Sequence, residues 1–331
     1  MTALPHGALT MTDLNNIHFK IAKLRAEFIK SEPYDRLWDQ FDRQIQRRRA
    51  NLSLGLYGEA RGLAVVGAPG SGKSTLVNRL LTQYPDLSQP QPEQMKAELI
   101  SLLVPSPATL KYVGSAMLGG LGYPLTRDKP AGFIWDQVRD LLHKRETLFV
   151  HLDEAQDLFS TKNLNTRGDV VNTLKSLMNN RVWPVGLILS GTPKMLEMIN
   201  SDDQLKRRID MINLDTVSWS THGTEVRETF LAYAAKAGLS ICPKLQLNDF
   251  LSRLVHAGCN ELGLIIEMIL SGIENALLAQ SDALRIDHFV DAFQRKSGCS
   301  RGLNIFVVSD YLAIDPRAVM RKANHPGGGD R

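Results

Sequence analysis

The chain has 331 residues, of which 43% are hydrophobic and 22% are charged, and these values exclude a largely disordered protein. The net charge of +4 is a mild basic excess, which by itself does not establish nucleic-acid binding. Three widely spaced cysteines and eight histidines without ligand spacing exclude a disulfide framework and a zinc site of familiar pattern. No apolar run reaches the roughly 20 residues of a membrane span, and no secretory signal opens the chain. The sequence therefore predicts a soluble cytoplasmic protein with no membrane partner.

Residues 1–55 are predicted to form an N-terminal helical segment. Apolar residues recur at helical spacing between positions 17 and 28, and a second helical stretch runs from 34 to 49. That stretch ends in the basic run at 47–49, which is either a solvated face or a contact to a phosphate backbone.

Short apolar strands alternate with helices from residue 56 to residue 222. Because these strands are almost continuously apolar, they are typical of a parallel sheet covered on both faces, and the fold class is α/β. The predicted strands are 63–66, 97–104, 148–152 and 185–190, and the predicted helices are 74–81, 107–121 and 170–180.

Strand patterns stop after this region. Residues 223–297 contain four helical stretches separated by glycines or polar breaks, and residues 298–331 form a C-terminal tail that ends in a proline and three glycines. The sequence thus predicts an α/β core followed by a small helical block.

A glycine-rich segment between the first strand and the following helix fits the pattern GxxxxGK[ST]. Its backbone N–H groups and the helix N-terminus suit phosphate oxygens. Lys73 is predicted to reach the β- and γ-phosphates, and the Ser74 hydroxyl is predicted to bind Mg²⁺. The predicted nucleotide-binding residues are Gly67, Ala68, Pro69, Gly70, Ser71, Gly72, Lys73, Ser74 and Thr75.

Adjacent carboxylates follow the third predicted strand, about 80 residues after the glycine-rich segment. Asp153 is predicted to hold the Mg²⁺ shell, and Glu154 to orient or deprotonate the attacking water. His151 on the same strand is predicted to pack rather than to act in catalysis.

Two further elements complete the predicted site. The fourth strand ends in small polar residues, of which Ser190 and Thr192 are candidate sensors of the γ-phosphate, although a plain strand-to-turn junction would look the same. About 15 residues later stand Arg207 and Arg208. A fixed guanidinium there would stabilise the charge of a phosphoryl-transfer transition state, often in a neighbouring subunit, and an exposed basic helix end is the alternative.

These four elements, in this order and before a helical block, resemble the AAA+ ATPases over about residues 30–300. The details are similar to those of the TniB/TnsC transposition ATPases. The similar segments are the glycine-rich loop at 67–74, Asp153 to Gln156, Ser190 to Pro193, Gln204 to Arg208, and the stretch from Ser106 to Pro124.

The resemblance implies a P-loop AAA+ parallel sheet with flanking helices, followed by a small helical lid. It also implies ATP and Mg²⁺ as cofactors, slow hydrolysis stimulated by partners, and a ring or helical filament of this chain on double-stranded DNA. The implied protein partners are a DDE transposase of the TniA/TnsB type and a TniQ-like targeting factor. Arg208 matches the trans-acting arginine of the family best, with Arg207 as its competitor. Residues 258–266 lack the arginine that many AAA+ lids carry.

The resemblance also implies DNA-facing residues. The segment after the second strand, with Thr109 and Lys111, is the first candidate, and the loop after the paired carboxylates, with Lys162 and Arg167, is the second.

Other functions share the same motifs. A replication-loader-like or ExeA-like ATPase would differ only in its partner, and a non-catalytic nucleotide switch would retain binding without turnover. A small-molecule kinase or a GTPase fits less well, because Glu154 and the helical block argue against both and the chain has no NKxD-type motif.

Overall fold

The structure, a computed structural model, describes residues 10–90, 95–159 and 164–324. The chain divides into two compact units. The first, which we call the sheet unit, is Lys30–Asp215, and the second, the helical unit, combines Met1–Ile29 with Thr216–Arg331. Among the described helices, none combines the length and the apolar character that crossing a lipid bilayer requires.

Five parallel strands form the centre of the sheet unit, in the order β2-β3-β4-β1-β5. Every residue of β1 and β4 is buried, as expected for a sheet covered on both faces. Because all strands run in one direction, their carboxyl ends share one edge of the sheet, and the end of β4 lies between the ends of β1 and β3. The strands are β1 Gly62–Val66, β2 Leu99–Leu103, β3 Phe149–Asp153, β4 Gly186–Gly191 and β5 Ile209–Asn213.

Helices flank this sheet and bury apolar faces. The α2 helix places Leu37, Phe41 and Ile45 in the core at a spacing of four, and α5 buries Ile134 and Trp135. A 3-10 turn, Ala155–Phe159, follows β3 with one residue between them. The helices of the sheet unit are α2 Glu32–Ser53, α3 Lys73–Gln83, α4 Leu110–Gly120, α5 Ala131–Lys144, α6 Leu164–Met178, α7 Lys194–Ser201 and α8 Asp203–Arg208.

The predicted α/β fold with a parallel sheet and flanking helices is confirmed. The four predicted strands correspond to β1–β4. Several elements were not predicted, among them α5, α7 and the edge strand β5. In β5 only Ile209 and Ile212 are buried, so its sequence lacks the continuous apolar run that marked the central strands.

The helical unit is built around aromatic side chains. Phe230, Phe250, Phe289 and Phe306 pack with ring centroids 5.0–6.0 Å apart. Its helices are α1 Met11–Ala26, α9 Trp219–Ala237, α10 Asn248–Ala257, α11 Leu262–Leu278, α12 Ile286–Ser297 and α13 Pro316–Asn324, with a two-stranded parallel pair, β6 Ser240–Ile241 and β7 Ala283–Leu284.

The two N-terminal helices belong to different units. Ile21 and Leu24 of α1 are buried in the core of the helical unit, whereas α2 packs on β1 and β5 of the sheet unit. The sequence-based division at residues 55, 222 and 297 placed both helices in one segment, and the compact units separate them. The lid role of the C-terminal helices stays a prediction.

Candidate nucleotide site

The turn between β1 and α3 is shaped by glycines. Gly70 and Gly72 have φ values of 86° and 96°, in the left-handed region that side chains disfavour. A Cβ atom at Gly67 would lie 2.5 Å from the Ser71 hydroxyl oxygen, so a side chain there would displace the Ser71 hydroxyl from its position in the turn. The turn therefore brings backbone N–H groups together at the N-terminus of an eleven-residue helix, which is an arrangement that attracts anions.

Side chains of this turn are held inside the site. Lys73 is 6% exposed, and its Nζ donates a hydrogen bond to the Ala68 carbonyl oxygen at 3.0 Å. The Ser71 hydroxyl is buried and has no hydrogen-bond partner among the described residues. Ser74 is half-buried and Thr75 is exposed. A buried cation and an unsatisfied buried hydroxyl at a helix N-terminus fit a phosphate group.

Asp153 and Glu154 lie at the carboxyl end of β3, on the same edge of the sheet. Glu154 has a φ of 55°, a left-handed conformation that turns the chain sharply after the strand. Its backbone N–H donates to Asp153 Oδ1 at 3.0 Å. No group of three His, Cys, Asp or Glu side chains suited to a metal occurs in the part of the chain that the structure describes. One carboxylate and one hydroxyl, Asp153 and Ser74, are the kind of sparse protein shell that Mg²⁺ uses beside a phosphate.

A line of hydrogen bonds crosses the sheet to Asp153. Ser190 Oγ donates to Asp153 Oδ1 at 2.6 Å, and His151 Nε2 lies 2.9 Å from Ser190 Oγ. Ser101 Oγ lies 2.7 Å from His151 Nδ1 on the other side of the ring. Because a carboxylate only accepts, the serine donates to it and the ring donates from Nε2. The line fixes one oxygen of Asp153.

The His151 ring in this line is neutral. It is 1% exposed, and burial lowers the pKa of its imidazole to about 4, against the opposing influence of Asp153. Sequence reasoning assigned His151 to packing. The structure gives it two hydrogen-bond partners on neighbouring strands in addition.

The end of β4 joins the glycine-rich turn to the paired carboxylates. The Gly67 N–H donates to the Gly191 carbonyl oxygen at 3.2 Å. Ser190 is fully buried and its hydroxyl is directed to Asp153. Thr192 is half-buried, and its hydroxyl oxygen has no hydrogen-bond partner among the described residues. Of the two candidate sensors, Thr192 is the one whose hydroxyl is uncommitted.

The two arginines at the end of α8 differ in their surroundings. Arg208 is 12% exposed and binds Glu59 through two hydrogen bonds, Nη2 to Oε1 at 2.7 Å and Nε to Oε2 at 3.0 Å. The guanidinium lowers the pKa of the Glu59 carboxyl. Arg207 is exposed, and its Nε donates to the backbone oxygen of Asp203. Arg208 is thus held within its own chain, and Arg207 faces solvent.

A family model for bacterial TniB proteins matches residues 36–220, which is more than half of the chain. The chain belongs to the TniB family. The match covers almost all of the sheet unit, including the glycine-rich turn, the paired carboxylates and both arginines. No curated protein sequence matches this TniB-family protein.

Two similar solved structures come from Aeropyrum pernix. The ORC2 protein in its ADPNP-ADP complexes is 18% identical, with a TM-score of 0.52 over 77% of this chain and 69% of that chain. The ORC1 protein in complex with DNA is 14% identical, with a TM-score of 0.52 over 79% of this chain and 68% of that chain. At such identities the similarity shows the fold alone, and this fold is that of the AAA+ ATPases. The predicted family and fold are both confirmed.

The predicted DNA-facing residues of this TniB-family protein belong to two separate segments of the chain, one at the start of α4 and one after β3. Thr109 caps α4, its hydroxyl accepting from the Tyr112 N–H at 3.2 Å, and Lys111 forms an ion pair with Asp128. Lys162 lies outside the described residues. Arg167 belongs to α6, but its side chain is not among those described. Their contact with DNA stays a prediction.

Three residues around the site had no assigned role in the sequence reasoning. Gln156 follows the paired carboxylates by two positions, and its place in the segment Asp153 to Gln156 was the available signal. Glu59 and Ser101 lie in unremarkable sequence, 149 and 50 positions from their partners Arg208 and His151. Pairings over such separations are visible only in the fold.

Proposed function

We propose that this TniB-family protein binds ATP with Mg²⁺ and hydrolyses it, and that its ATP-bound form assembles on double-stranded DNA as a regulator of transposition. One observation carries the nucleotide part of the proposal, and the transposition part is proposed from the family. The glycine-rich turn, the paired carboxylates and the uncommitted Thr192 hydroxyl follow three adjacent strands at one edge of the sheet, joined by the hydrogen bonds described above.

Each residue has a defined task in the proposed reaction. Backbone N–H groups of the glycine-rich turn, such as those of Gly70 and Gly72, and the Lys73 ammonium would bind the phosphates, which requires Lys73 to leave the Ala68 carbonyl. Ser74 and Asp153 would hold Mg²⁺, which when bound neutralises charge on the phosphates. Glu154 would orient the attacking water and accept its proton, and the Thr192 hydroxyl would contact the γ-phosphate.

An arginine from a neighbouring copy would complete the charge stabilisation. A guanidinium supplied in trans is typical of ATPases that turn over only when assembled. Arg208 is the family-based choice, and it would have to exchange Glu59 for a phosphate of the adjacent subunit. Arg207 is free of such a carboxylate contact among the described residues and is the competing choice.

The partners are proposed from the family. Double-stranded DNA, a DDE transposase of the TniA/TnsB type and a TniQ-like targeting factor would bind the assembled form, as a ring or helical filament. Thr109 and Lys111 would face the DNA, and Lys111 would exchange Asp128 for a backbone phosphate. The solved structure of the Aeropyrum pernix ORC1 protein with DNA has the same fold, which is compatible with a DNA partner.

The experiment measures ATP hydrolysis and assembly together. Purified protein is mixed with non-specific duplex DNA and ATP, ADP or no nucleotide, and imaged by negative-stain microscopy while phosphate release is followed. We expect rings or filaments on DNA with ATP alone. The Lys73→Ala variant is expected to lose both assembly and hydrolysis, because it removes the phosphate-binding cation.

Lys144→Ala is the matched control, since Lys144 is an exposed lysine on α5 that pairs with Asp140 away from the site. It should behave as the wild type. Hydrolysis without DNA association at modest salt would contradict the transposition role and leave an ATPase with another partner. ATP binding without any hydrolysis would instead indicate a nucleotide switch.

A further inference from the structure

The side-chain amide of Gln156 connects the residues that follow β3 and β4. Gln156 lies in the 3-10 turn that follows β3. Its Nε2 donates a hydrogen bond to Glu154 Oε2, and its Oε1 accepts from the backbone N–H of Thr192 at 3.0 Å. The side chain therefore connects the carboxylate proposed to act on water with the residue proposed to sense the γ-phosphate.

The orientation of the Glu154 carboxylate depends on its hydrogen bond with Gln156. The residue has left the extended conformation of β3, with a φ of 55°, so the strand geometry does not aim its side chain. Its backbone N–H is fixed on Asp153 Oδ1, and its carboxylate is held by the amide of Gln156. A general base must lie within hydrogen-bond reach of the proton that it accepts, so a contact that aims it has a direct effect on rate.

The chain makes room for this amide at Gly191. A Cβ atom at this position would lie 2.6 Å from Gln156 Oε1, closer than real contacts allow. Because the severe clash is with the end of a flexible side chain, an added methyl group would displace mainly the amide, with a smaller adjustment at the Gln156 backbone nitrogen, 3.3 Å away. The position gives a way to break the contact without changing Gln156.

We propose that Gln156 is a positioning residue, whose amide fixes the Glu154 carboxylate relative to Thr192 and so links the state of the γ-phosphate sensor to the activity of the base. The inference rests on the proposed ATPase function. An amide suits this task because one planar group donates to a carboxylate and accepts from a peptide N–H at the same time. Neither a carboxylate nor an apolar side chain of the same size does both.

The test separates turnover from binding in four variants. Gln156→Ala removes both contacts, Gln156→Glu keeps an acceptor for the Thr192 N–H but loses the donor to Glu154, and Gly191→Ala displaces the amide. Gln46→Ala is the control, because Gln46 is another glutamine in the same unit whose amide donates to a side chain, the Tyr84 hydroxyl, although the residue itself is exposed. For each variant we measure kcat and KM for ATP, the affinity for fluorescent derivatives of ATP and ADP, and the thermal midpoint.

We expect kcat to fall about tenfold in the two Gln156 variants and in Gly191→Ala, as for loss of part of a general-base contribution. The KM, both nucleotide affinities and the thermal midpoint should stay near the wild-type values, and Gln46→Ala should match the wild type throughout. The Gln156→Glu variant is the most informative of the four. It keeps the acceptor for the Thr192 N–H, so its kcat should not fall if Gln156 only holds the two strand ends together.

Two results would overturn the inference. One is a wild-type kcat in Gln156→Ala or in Gln156→Glu, and the other is a loss of activity that follows nucleotide affinity or thermal stability. Both presuppose a wild-type protein that hydrolyses ATP, so they leave the proposed function intact. A wild-type protein that binds ATP but never hydrolyses it would overturn the proposed catalysis and the role of Gln156 together.

Discussion

Arg208 and Glu59 form a two-bonded ion pair in which the carboxylate is 64% exposed and the guanidinium is nearly buried. The carboxylate occupies the same donors that a phosphate of an adjacent subunit would need. At the scale of single residues, Glu59 is therefore a competitor of the proposed trans contact.

The Glu59→Gln variant tests this competition. The amide keeps the size of the side chain and removes its charge, so Arg208 is released more readily to a phosphate. We expect DNA-stimulated ATP hydrolysis to rise about two- to fivefold, because exposed ion pairs contribute roughly 0.2–1 kcal/mol. Phosphate release from DNA-assembled protein is the measurement.

The control for this variant is Glu32→Gln, which removes the charge from another exposed pair, Glu32 with Arg36 at 2.8 Å. An increase in Glu59→Gln that disappears in an Arg208→Ala background would identify Arg208 as the trans arginine. If instead Glu59→Gln matches the wild type and Arg207→Ala abolishes the stimulation, Arg207 has that role.

The sequence specifies single residues best where the pattern is local. The glycine-rich turn, Lys73 and the Asp153–Glu154 pair are each marked within a few positions, and the fold places them at one sheet edge, while their roles stay predictions. Ser190 illustrates the limit, because its hydroxyl is directed to Asp153, 37 positions away. The sequence shows that a polar residue ends the strand, but not which neighbour it contacts.

At the scale of elements, the short helix α8 depends on one aspartate. Asp202 Oδ1 accepts from the N–H groups of Gln204 and Leu205, both at 3.0 Å, and Oδ2 accepts from Lys175 Nζ on α6 at 2.6 Å. The residue caps the helix that presents both arginines and ties it to a neighbouring helix.

We expect Asp202→Ala to lower the free energy of unfolding by about 1–3 kcal/mol at neutral pH, from the lost cap and ion pair. Urea unfolding followed by tryptophan fluorescence reports it, since three of the four tryptophans lie in the sheet unit. Asp203→Ala, at the adjacent exposed position in the first turn of α8, is the control and should have a much smaller effect. Equal losses in both variants would mean that general helix propensity, not the Asp202 contacts, stabilises α8.

The effect of Asp202 has a defined pH dependence. Burial alone would raise the pKa of this carboxyl, but the hydrogen bond from Lys175 and those from the backbone of α8 outweigh it, so the folded pKa is lowered. The stabilisation is complete above the unfolded value of about 3.9 and is lost as the pH falls through the lower folded value. The difference in the free energy of unfolding between the wild type and Asp202→Ala should therefore become smaller only in acid, at pH values below that unfolded pKa.

Two elements show what the sequence pattern could and could not give. The helix α5 was not predicted, although Ile134, Val138 and Leu142 recur at a spacing of four, a pattern that indicates a helix with one buried face. The sequence of β5 has no comparable pattern. An edge strand needs few apolar residues, and here only two of five positions are buried. Its assignment depends on pairing with β1, which local patterns do not show.

At the scale of the whole molecule, the first helix of the chain completes the core of the last helices. Leu24 is 4% exposed in that core, and Lys236 of α9 pairs with Glu27 just after α1. Helical spacing in the sequence indicated an apolar face on α1 but not the partner that covers it, since the partner begins nearly 200 residues later.

The Leu24→Ala variant should destabilise the helical unit by about 2–5 kcal/mol, the usual cost of removing a large buried side chain. Hydrogen exchange measured by mass spectrometry should become faster in α9–α12, while β1, β3 and β4 keep their protection. Phe19→Ala on the same helix is the control, because Phe19 is 64% exposed. Faster exchange in both units to the same extent would show that α1 does not belong to the helical unit alone.

The neutral, buried ring of His151 has a consequence for observing the site. The chain contains eight histidines, and a ring N–H that is shielded from solvent and hydrogen-bonded to Ser190 should exchange slowly enough to give its own proton resonance. Because Ser190 also binds Asp153, the frequency of that resonance should shift when a cation binds to the carboxylate. A nuclear magnetic resonance titration could then follow the loading of the site with a native side chain as the label.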